Sequence, residues 1–513
     1  MLSKVLSSAT LGIDAYAVEV EVDISRGLPS FSTVGLPDNA VKESKDRVKS
    51  AIKNSGYAFP ARRITVNLAP ADVKKEGTGF DLPVAVGILA AEGVVKGDGL
   101  DDFCVVGELS LDGAVRPVRG ALSMALSARA LGKGLIVPAG NAREAGIVDG
   151  VDVYGVGALS ELVGFLNGEV ELAPHRADTG EYFKRGAPET ALDLSDVKGQ
   201  AHVKRALEVA AAGGHNMIMI GPPGSGKTML AKRLPGILPD MTLEEAIETT
   251  KVHSVAGMLG PAEALVATRP FRSPHHTISD AGLIGGGRIP RPGEVSLAHN
   301  GVLFLDEFPE FRKNVLEVLR QPLEDGRVAI SRAAVAITYP ADFMLLAAMN
   351  PCPCGHLGDP VRECRCTPPK VAQYRSRLSG PLLDRIDIHC DVPAVRFKEL
   401  SAADGGARGE GTAEVRARVD GARKAQARRY RSAGIFSNAA LTSKLLRRFC
   451  GLDGEGRRLL ETAVERLGLS ARAYDRVLKV ARTIADLEGE ECIRTRHIAE
   501  AVQYRTLDRP MTM

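Results

Sequence analysis

Lys227 and Thr228 close the octet Gly221-Pro222-Pro223-Gly224-Ser225-Gly226-Lys227-Thr228, and that order of residue types suits one kind of chemistry. Glycines let successive backbone N–H groups turn toward one anion, the lysine brings a mobile positive charge, and the threonine hydroxyl is a hard ligand for Mg2+. The octet follows the apolar run Met217–Ile220 and precedes a helical stretch, 229–234, which Pro235 is expected to stop. Strand, glycine-rich loop and helix together make a P-loop, with the helix N-terminus adding its dipole at the polyphosphate. Lys227 is expected to reach the β- and γ-phosphates of a nucleotide, and Thr228 to hold Mg2+.

A second constellation is Gly301-Val-Leu-Phe-Leu-Asp-Glu-Phe308, an apolar strand that delivers two adjacent carboxylates at its end. Asp306 fits a Mg2+ ligand. Glu307 fits a general base that orients and deprotonates a water for attack on the γ-phosphate. A pure GTP switch fits less well, because its water is usually positioned by a glutamine. A third apolar strand, 343–349, ends in Asn350, whose amide is placed to hold that water in line. Further on, Leu382-Leu-Asp-Arg-Ile-Asp387 carries Arg385, which suits an arginine finger reaching a neighbouring subunit's γ-phosphate.

The elements that must position these groups fall into three regions. At 513 residues the chain is long enough for more than one domain. Residues 1–172 read as an α/β unit: 16–23 alternate like a half-buried strand, 41–55 look helical, 63–68 strand-like and 82–91 an apolar helix. A charged, Gly- and Pro-containing stretch, 173–191, reads as a linker. The P-loop unit runs over 192–395, and 396–412 forms a second linker. The remainder, 413–513, reads as helical; 477, 480, 481, 484 and 487 keep helical spacing, and Thr495 is placed to cap a last helix.

Composition narrows the function. The chain has 66 Lys and Arg against 63 Asp and Glu, so any nucleic-acid contact must come from local patches. No apolar stretch is long enough to span a bilayer and the N-terminus lacks a signal-peptide build, so no membrane role and a cytoplasmic location are expected.

The series GPPGSGKT, GVLFLDEF, the AAMN strand end and LLDR resembles an AAA+ ATPase. Arg272-Ser-Pro-His-His-Thr277, Gly285-Gly-Gly-Arg288 and 292–301 resemble the magnesium-chelatase-type branch, and almost the whole chain is similar to the ComM/YifB group. The resemblance implies ATP and Mg2+ at the interfaces of a homo-oligomeric ring, most often a hexamer. It implies Arg385 as a finger in trans. Arg472, in Leu469-Ser-Ala-Arg-Ala-Tyr474, is then the lid sensor reading nucleotide in its own subunit, with Arg476 a competitor. It also implies a DNA helicase that drives branch migration on single-stranded and branched DNA during recombination or natural transformation.

Two inserts bear on DNA. Residues 227 and 306 lie 79 positions apart, and 271–294 in that gap read as an inserted loop or hairpin bearing Arg288 and Arg291. Residues 327–339 alternate on both sides of 331–334, a hairpin signal with Arg332 at its tip. Such a tip could meet backbone phosphate in a ring's pore, or could simply be solvated. Aromatic residues are 4% of the chain and tryptophan is absent, which disfavours an extensive base-stacking platform. Arg416, Arg418, Arg423, Lys424, Arg428, Arg429 and Arg431 form a basic run that reads either as a DNA-facing helix or as a solvated face.

Cys352-Pro-Cys354 and Cys364-Arg-Cys366 are two thiol pairs separated by nine residues. Four thiolates suit a structural Zn2+ site, with His356 an alternative ligand, although the one-residue spacing is tighter than usual; four reduced loop cysteines are the other reading. The first 170 residues resemble the proteolytic domain of Lon-type proteases, through 76–87 and 117–123. At the positions of that family's serine nucleophile and lysine base stand Val84 and Leu122, with Ser123 adjacent. Neither Val84 nor Leu122 can do that chemistry, so a non-peptidase scaffold is expected. A chelatase-type motor for metal insertion and an ATP-dependent unfoldase or protease are the two alternatives to a DNA motor.

Overall fold

A computed structural model describes residues 1–75, 77–185, 192–260, 263–287, 290–332, 335–359, 362–394, 409–505 and 507. The chain divides into two compact units: Met1–Gly186 with Leu243–Ala267 and Ser331–Tyr339, and Ala187–Thr242 with Thr268–Ile330 and Pro340–Met513. Two pieces of the span expected as the P-loop unit, 192–395, thus group with the N-terminal residues.

The first unit is built on a seven-stranded mixed sheet, in the order Ser30–Val34, Arg63–Ala69, Asp14–Ser25, Leu2–Leu11, Phe103–Val105, Gly134–Pro138, Val153–Val156. The long antiparallel pair Leu2–Leu11 and Asp14–Ser25 runs in register from Leu2↔Asp23 to Leu11↔Asp14. Val18, Val20, Val22 and Ile24 all turn to the core, as the alternation requires. Helix Asp81–Ala91 is apolar on every face and almost wholly buried. Its one charge, Asp81, is taken by Arg47 through Nε at 2.7 Å and Nη2 at 3.0 Å.

Helix Leu243–Ala256 belongs to this unit because its polar groups are used there. Ser254 Oγ accepts from Gly120 N at 2.9 Å and donates to Glu144, whose Oε1 accepts from Leu122 N at 3.0 Å. Val84 and Leu122 are both buried, and the Ser123 hydroxyl donates to Ile13 O at 2.5 Å. The expected linker 173–191 is partly structured: His175 bridges to Val153, and Thr179–Arg185 is helical. Its last residues, 186–191, lie outside the described residues.

The second unit holds a five-stranded, wholly parallel sheet ordered Phe271–Arg272, Val302–Leu305, Met344–Met349, Met217–Ile220, Ile388–Asp391. The three middle strands are buried along their entire length, which is why they read as unbroken apolar runs. Helices Thr412–Tyr430, Ser443–Phe449, Gly454–Leu467, Ala471–Leu487 and Thr495–Gln503 follow. Val419, Tyr430, Val477 and Ile484 share one buried cluster with Met217, Phe304 and Leu346, so these helices share a core with the sheet. Two local expectations are corrected. Pro235 lies in the first turn of a short helix, Leu234–Ile237, after the P-loop helix has ended at Ala231. Arg494 rather than Thr495 caps the last helix, its N–H donating to His497 Nδ1 at 3.0 Å.

One buried charge knits the helical part. Asp486 accepts from Arg429 Nη1 at 2.9 Å, Arg482 Nε at 3.2 Å and Asn438 Nδ2 at 2.8 Å, and both Asp486 and Arg482 are nearly inaccessible. Removing one partner of a buried ion pair strands the other, at a cost of about 3–5 kcal/mol. Asp486→Ala is therefore expected to lower the unfolding midpoint of the helical part in denaturant. A midpoint shift within error would show that the backbone carbonyls of Glu490 and Glu491 suffice for Arg482.

Candidate nucleotide site

The P-loop begins where strand Met217–Ile220 ends, and Gly221 N donates to Met349 O at 3.1 Å on the neighbouring strand. A Cβ on Gly221 would lie 2.1 Å from Val392 O, so only glycine fits there. Gly224 and Gly226 take positive φ, 76° and 89°, which turns the loop back over its own helix. The loop is clamped from behind by Gln200, whose Nε2 donates to Ser225 O at 2.7 Å and Pro393 O at 3.3 Å.

Lys227 is buried and donates from Nζ to Gly221 O at 2.6 Å, Pro222 O at 2.9 Å and Asn350 Oδ1 at 3.3 Å. Burial lowers its pKa, and the Asp306 charge opposes that shift. The Ser225 hydroxyl is buried in the same cradle with no hydrogen-bond partner. An orphaned hydroxyl beside a lysine and turned-in amides suits a polyphosphate.

Thr228 Oγ1 donates to Asp306 Oδ2 at 2.7 Å. Adjacent ligands in an octahedron of 2.1 Å bonds are about 3 Å apart, so this pair suits Mg2+. Glu307 sits beside it with a left-handed backbone, φ 52°, and its N–H donates to Asp306 Oδ1 at 2.9 Å. Strain of that kind in a non-glycine residue is held by its surroundings and clusters at working sites. Here it turns the Glu307 side chain outward, where it is 56% exposed.

Sheet order brings the third motif in. Strand Met344–Met349 lies between the P-loop strand and the Asp306 strand, which sets Asn350 beside Lys227. Sequence reasoning missed one member. His276 Nδ1 lies 3.0 Å from Glu307 Oε2, and its ring stacks on His275 at 4.1 Å. The signal was present in Arg272-Ser-Pro-His-His-Thr277, because the strand Phe271–Arg272 pairs with the Asp306 strand. His276 thus fixes the direction of the Glu307 carboxylate. His276→Ala is expected to lower kcat for nucleotide hydrolysis by up to about 100-fold, the scale of a misplaced reacting group, with KM unmoved. A proportional rise in KM would assign His276 to nucleotide binding instead.

Arg385 and Arg472 lie elsewhere. Arg385 precedes strand Ile388–Asp391, which neighbours the P-loop strand, and so lies at the end of the strands opposite the P-loop; its carbonyl accepts from Asn216 Nδ2 at 3.0 Å, just before the P-loop strand. It pairs with Glu324 and donates to Pro381 O at 2.7 Å. Arg472 lies 3.8 Å from Asp384, and Arg476 pairs with Asp387. Burial raises the Asp387 pKa, but Arg476 and His215 outweigh it and hold this carboxyl well below the usual range. All three arginines and Lys479 line one open, polar cleft with Glu324, Asp342 and Asp384. Both sensor candidates, Arg472 and Arg476, thus stand with Arg385 in this cleft, away from the P-loop of their own chain.

Four members of the basic run are bonded within the fold, while Lys424, Arg428 and Arg431 are exposed. Arg416 pairs with Asp240, Arg418 with Glu208 and Glu410, and Arg429 with Asp486, while Arg423 donates to Phe436 O at 3.3 Å. Strands Arg327–Arg332 and Val335–Pro340 form the expected hairpin; its tip, 333–334, and the side chain of Arg332 lie outside the described residues, as does Arg288. Arg291 is exposed on the two-residue strand Arg291–Pro292. No helix of the described residues is long and apolar enough to cross a membrane.

Three family models match: "Magnesium chelatase, subunit ChlI" over residues 193–400, "Subunit ChlI of Mg-chelatase" over 20–141, and "Magnesium chelatase, subunit ChlI C-terminal" over 409–505. The chain is 47% identical to the uncharacterized protein YifB of Escherichia coli, across 99% of this chain and 98% of that one. It is 48% identical to the competence protein ComM of Haemophilus influenzae, over 99% and 98% respectively. The chain belongs to the ComM/YifB family of magnesium-chelatase-like AAA+ proteins. A more distant relative is the magnesium-chelatase 38 kDa subunit of Rhodobacter capsulatus, 27% identical over 41% of this chain and 61% of that one. In this chain the parallel sheet places the motifs at one end of its strands and the arginine cluster at the other.

Proposed function

We propose that this ComM/YifB-family chain hydrolyses ATP at interfaces between copies of itself and uses the cycle to move along DNA. The observation that carries the ATPase is the convergence of Lys227, Thr228, Asp306, Glu307 and Asn350 at the C-terminal ends of the three middle strands. Lys227 and the P-loop amides hold the β- and γ-phosphates. Thr228 and Asp306 hold Mg2+, which would neutralise charge on those phosphates. Glu307, aimed by His276, takes a proton from the attacking water, and Asn350 fixes the Lys227 side of the site. Arg385, Arg472 and Arg476 complete a neighbour's site, which calls for a closed ring; six subunits is the size the family resemblance implies.

The DNA step is supported by full-length similarity to a competence protein and by the hairpin at 327–340. Backbone charge rather than base readout would grip the strand, with Arg332 the tip contact. The N-terminal unit serves as a non-peptidase scaffold, because Val84 and Leu122 are apolar and buried and Ser123 is bonded to Ile13 O. Work on branched DNA would place the protein in the cytoplasm. The test is strand displacement from a three-strand branched DNA with ATP, with Glu307→Gln as control. Displacement by the wild type alone supports the reading. ATP hydrolysis that single-stranded DNA does not stimulate, with no displacement, rejects the DNA step and leaves the ATPase; ATP-dependent loss of casein would restore the protease alternative.

A further inference from the structure

The segment that follows Asn350 holds a second site. Cys352 Sγ lies 3.4 Å from Cys354 Sγ and 3.6 Å from Cys364 Sγ, and Cys354 and Cys364 are 3.6 Å apart. With Cys366, all four sulfurs lie within 4.8 Å of one another. A bonded disulfide would bring two sulfurs to about 2.05 Å, and all four thiols are free. A tetrahedron of metal–sulfur bonds near 2.3 Å has edges of about 3.8 Å, so these spacings suit one ion at the centre. The tight one-residue spacing within each pair is no obstacle, since Cys352 and Cys354 already sit on adjacent corners. The Cys366 N–H points at Cys364 Sγ at 3.5 Å, the kind of contact that steadies a thiolate ligand. His356, the alternative ligand, is engaged instead with Asp359 at 3.2 Å. Four protein sulfurs leave no open coordination position, so such an ion is structural.

The position of this knot gives it a further role. Asn350, which accepts from Lys227, is two residues before Cys352. Gly355, one residue after Cys354, has φ +83°, and a Cβ there would lie 2.5 Å from Pro223 Cδ in the P-loop. The knot thus touches the nucleotide cradle from two directions.

We propose that Cys352, Cys354, Cys364 and Cys366 bind one Zn2+ per chain, and that this zinc knot braces Asn350 and the P-loop for nucleotide. The metal half stands on the sulfur geometry alone; the brace rests on the ATP reading above. The experiment begins with elemental analysis of the full chain purified without chelator. One zinc per chain is expected, released stoichiometrically to a chromophoric chelator when a mercurial blocks the thiols. Cys352→Ser and Cys364→Ser should each lose it. Wild type that lacks zinc and takes up none when reduced and supplied with Zn2+ overturns the site, and so does an iron-coloured protein. Gly355→Ala then tests the brace: zinc should stay at one per chain while the Kd for Mg-ATP rises at least about tenfold, the scale of a disturbed supporting contact. Unchanged affinity in that variant overturns the brace and leaves the zinc. Wild type that holds zinc yet binds no ATP rejects the ATP reading and not the metal site.

Discussion

Arg385→Ala is expected to lower ATP turnover by about three to five orders of magnitude, the range an arginine finger contributes, while nucleotide still binds. The argument is geometric. Strands Met217–Ile220 and Ile388–Asp391 are parallel, with Met217 beside Ile388 and Ile220 beside Asp391. The P-loop leaves the far end of that pair and Arg385 enters before the near end, so the strand alone holds them about 10 Å apart. The guanidinium turns further away, to Glu324 and Pro381 O. It points away from its own P-loop, which is the placement that action on another chain's site would require. Mixing supplies the decisive measurement. Lys227→Ala keeps its arginine but loses its phosphate cradle, and Arg385→Ala has the reverse defect. Mixed rings would contain both intact halves at about one interface in four for random assembly, and ATPase should reappear. Two inactive variants that stay inactive together, although they co-assemble, would reject action in trans. The same mixture with Arg472→Ala or Arg476→Ala in place of Arg385→Ala decides which of those residues crosses the interface as well.

Glu307→Gln is the second large effect. Losing a general base costs about 100- to 10,000-fold in rate, and the amide keeps the size and shape of the side chain. Binding should persist, because Glu307 is not among the residues proposed to hold the phosphates and metal. A fluorescent ATP analogue should therefore bind Glu307→Gln as it binds wild type, while single-turnover hydrolysis nearly stops. Lys227→Ala should give the opposite pattern, with binding itself lost. Hydrolysis by Glu307→Gln within tenfold of wild type would show that the water is activated elsewhere, and the His276 contact at 3.0 Å would then need another purpose.

The chemistry of the site was legible because it is written in consecutive residues. A phosphate cradle needs glycines, a lysine and a threonine along one turn of chain, and Asp306 and Glu307 are adjacent, so short-range order suffices. The apolar runs 217–220, 302–305 and 344–349 were legible as strands for a similar reason, since parallel strands covered on both faces carry no polar alternation. The hairpin at 327–340 and the helices after 412 likewise announced themselves by period. The partition was less so. Helix Leu243–Ala256 reads as part of the P-loop unit by position, yet Ser254, Glu144 and Gly120 bond it into the N-terminal unit. Partners more than a hundred residues apart leave no mark in local composition.

What the sequence by itself determined is which atoms could handle a phosphate, a metal ion and a water, and that four cysteines lie close enough along the chain to share an ion. What only the tertiary structure decided is where those atoms meet. Strand order put Asn350 beside Lys227 and gave Glu307 its histidine, and parallel pairing set Arg385 at the opposite end of the strands from its own P-loop, with Arg472 and Arg476 beside it. The reason is physical. A motif is local because it is a turn of backbone, whereas which strand ends lie side by side depends on the pairing and direction of strands that the chain joins only after long excursions.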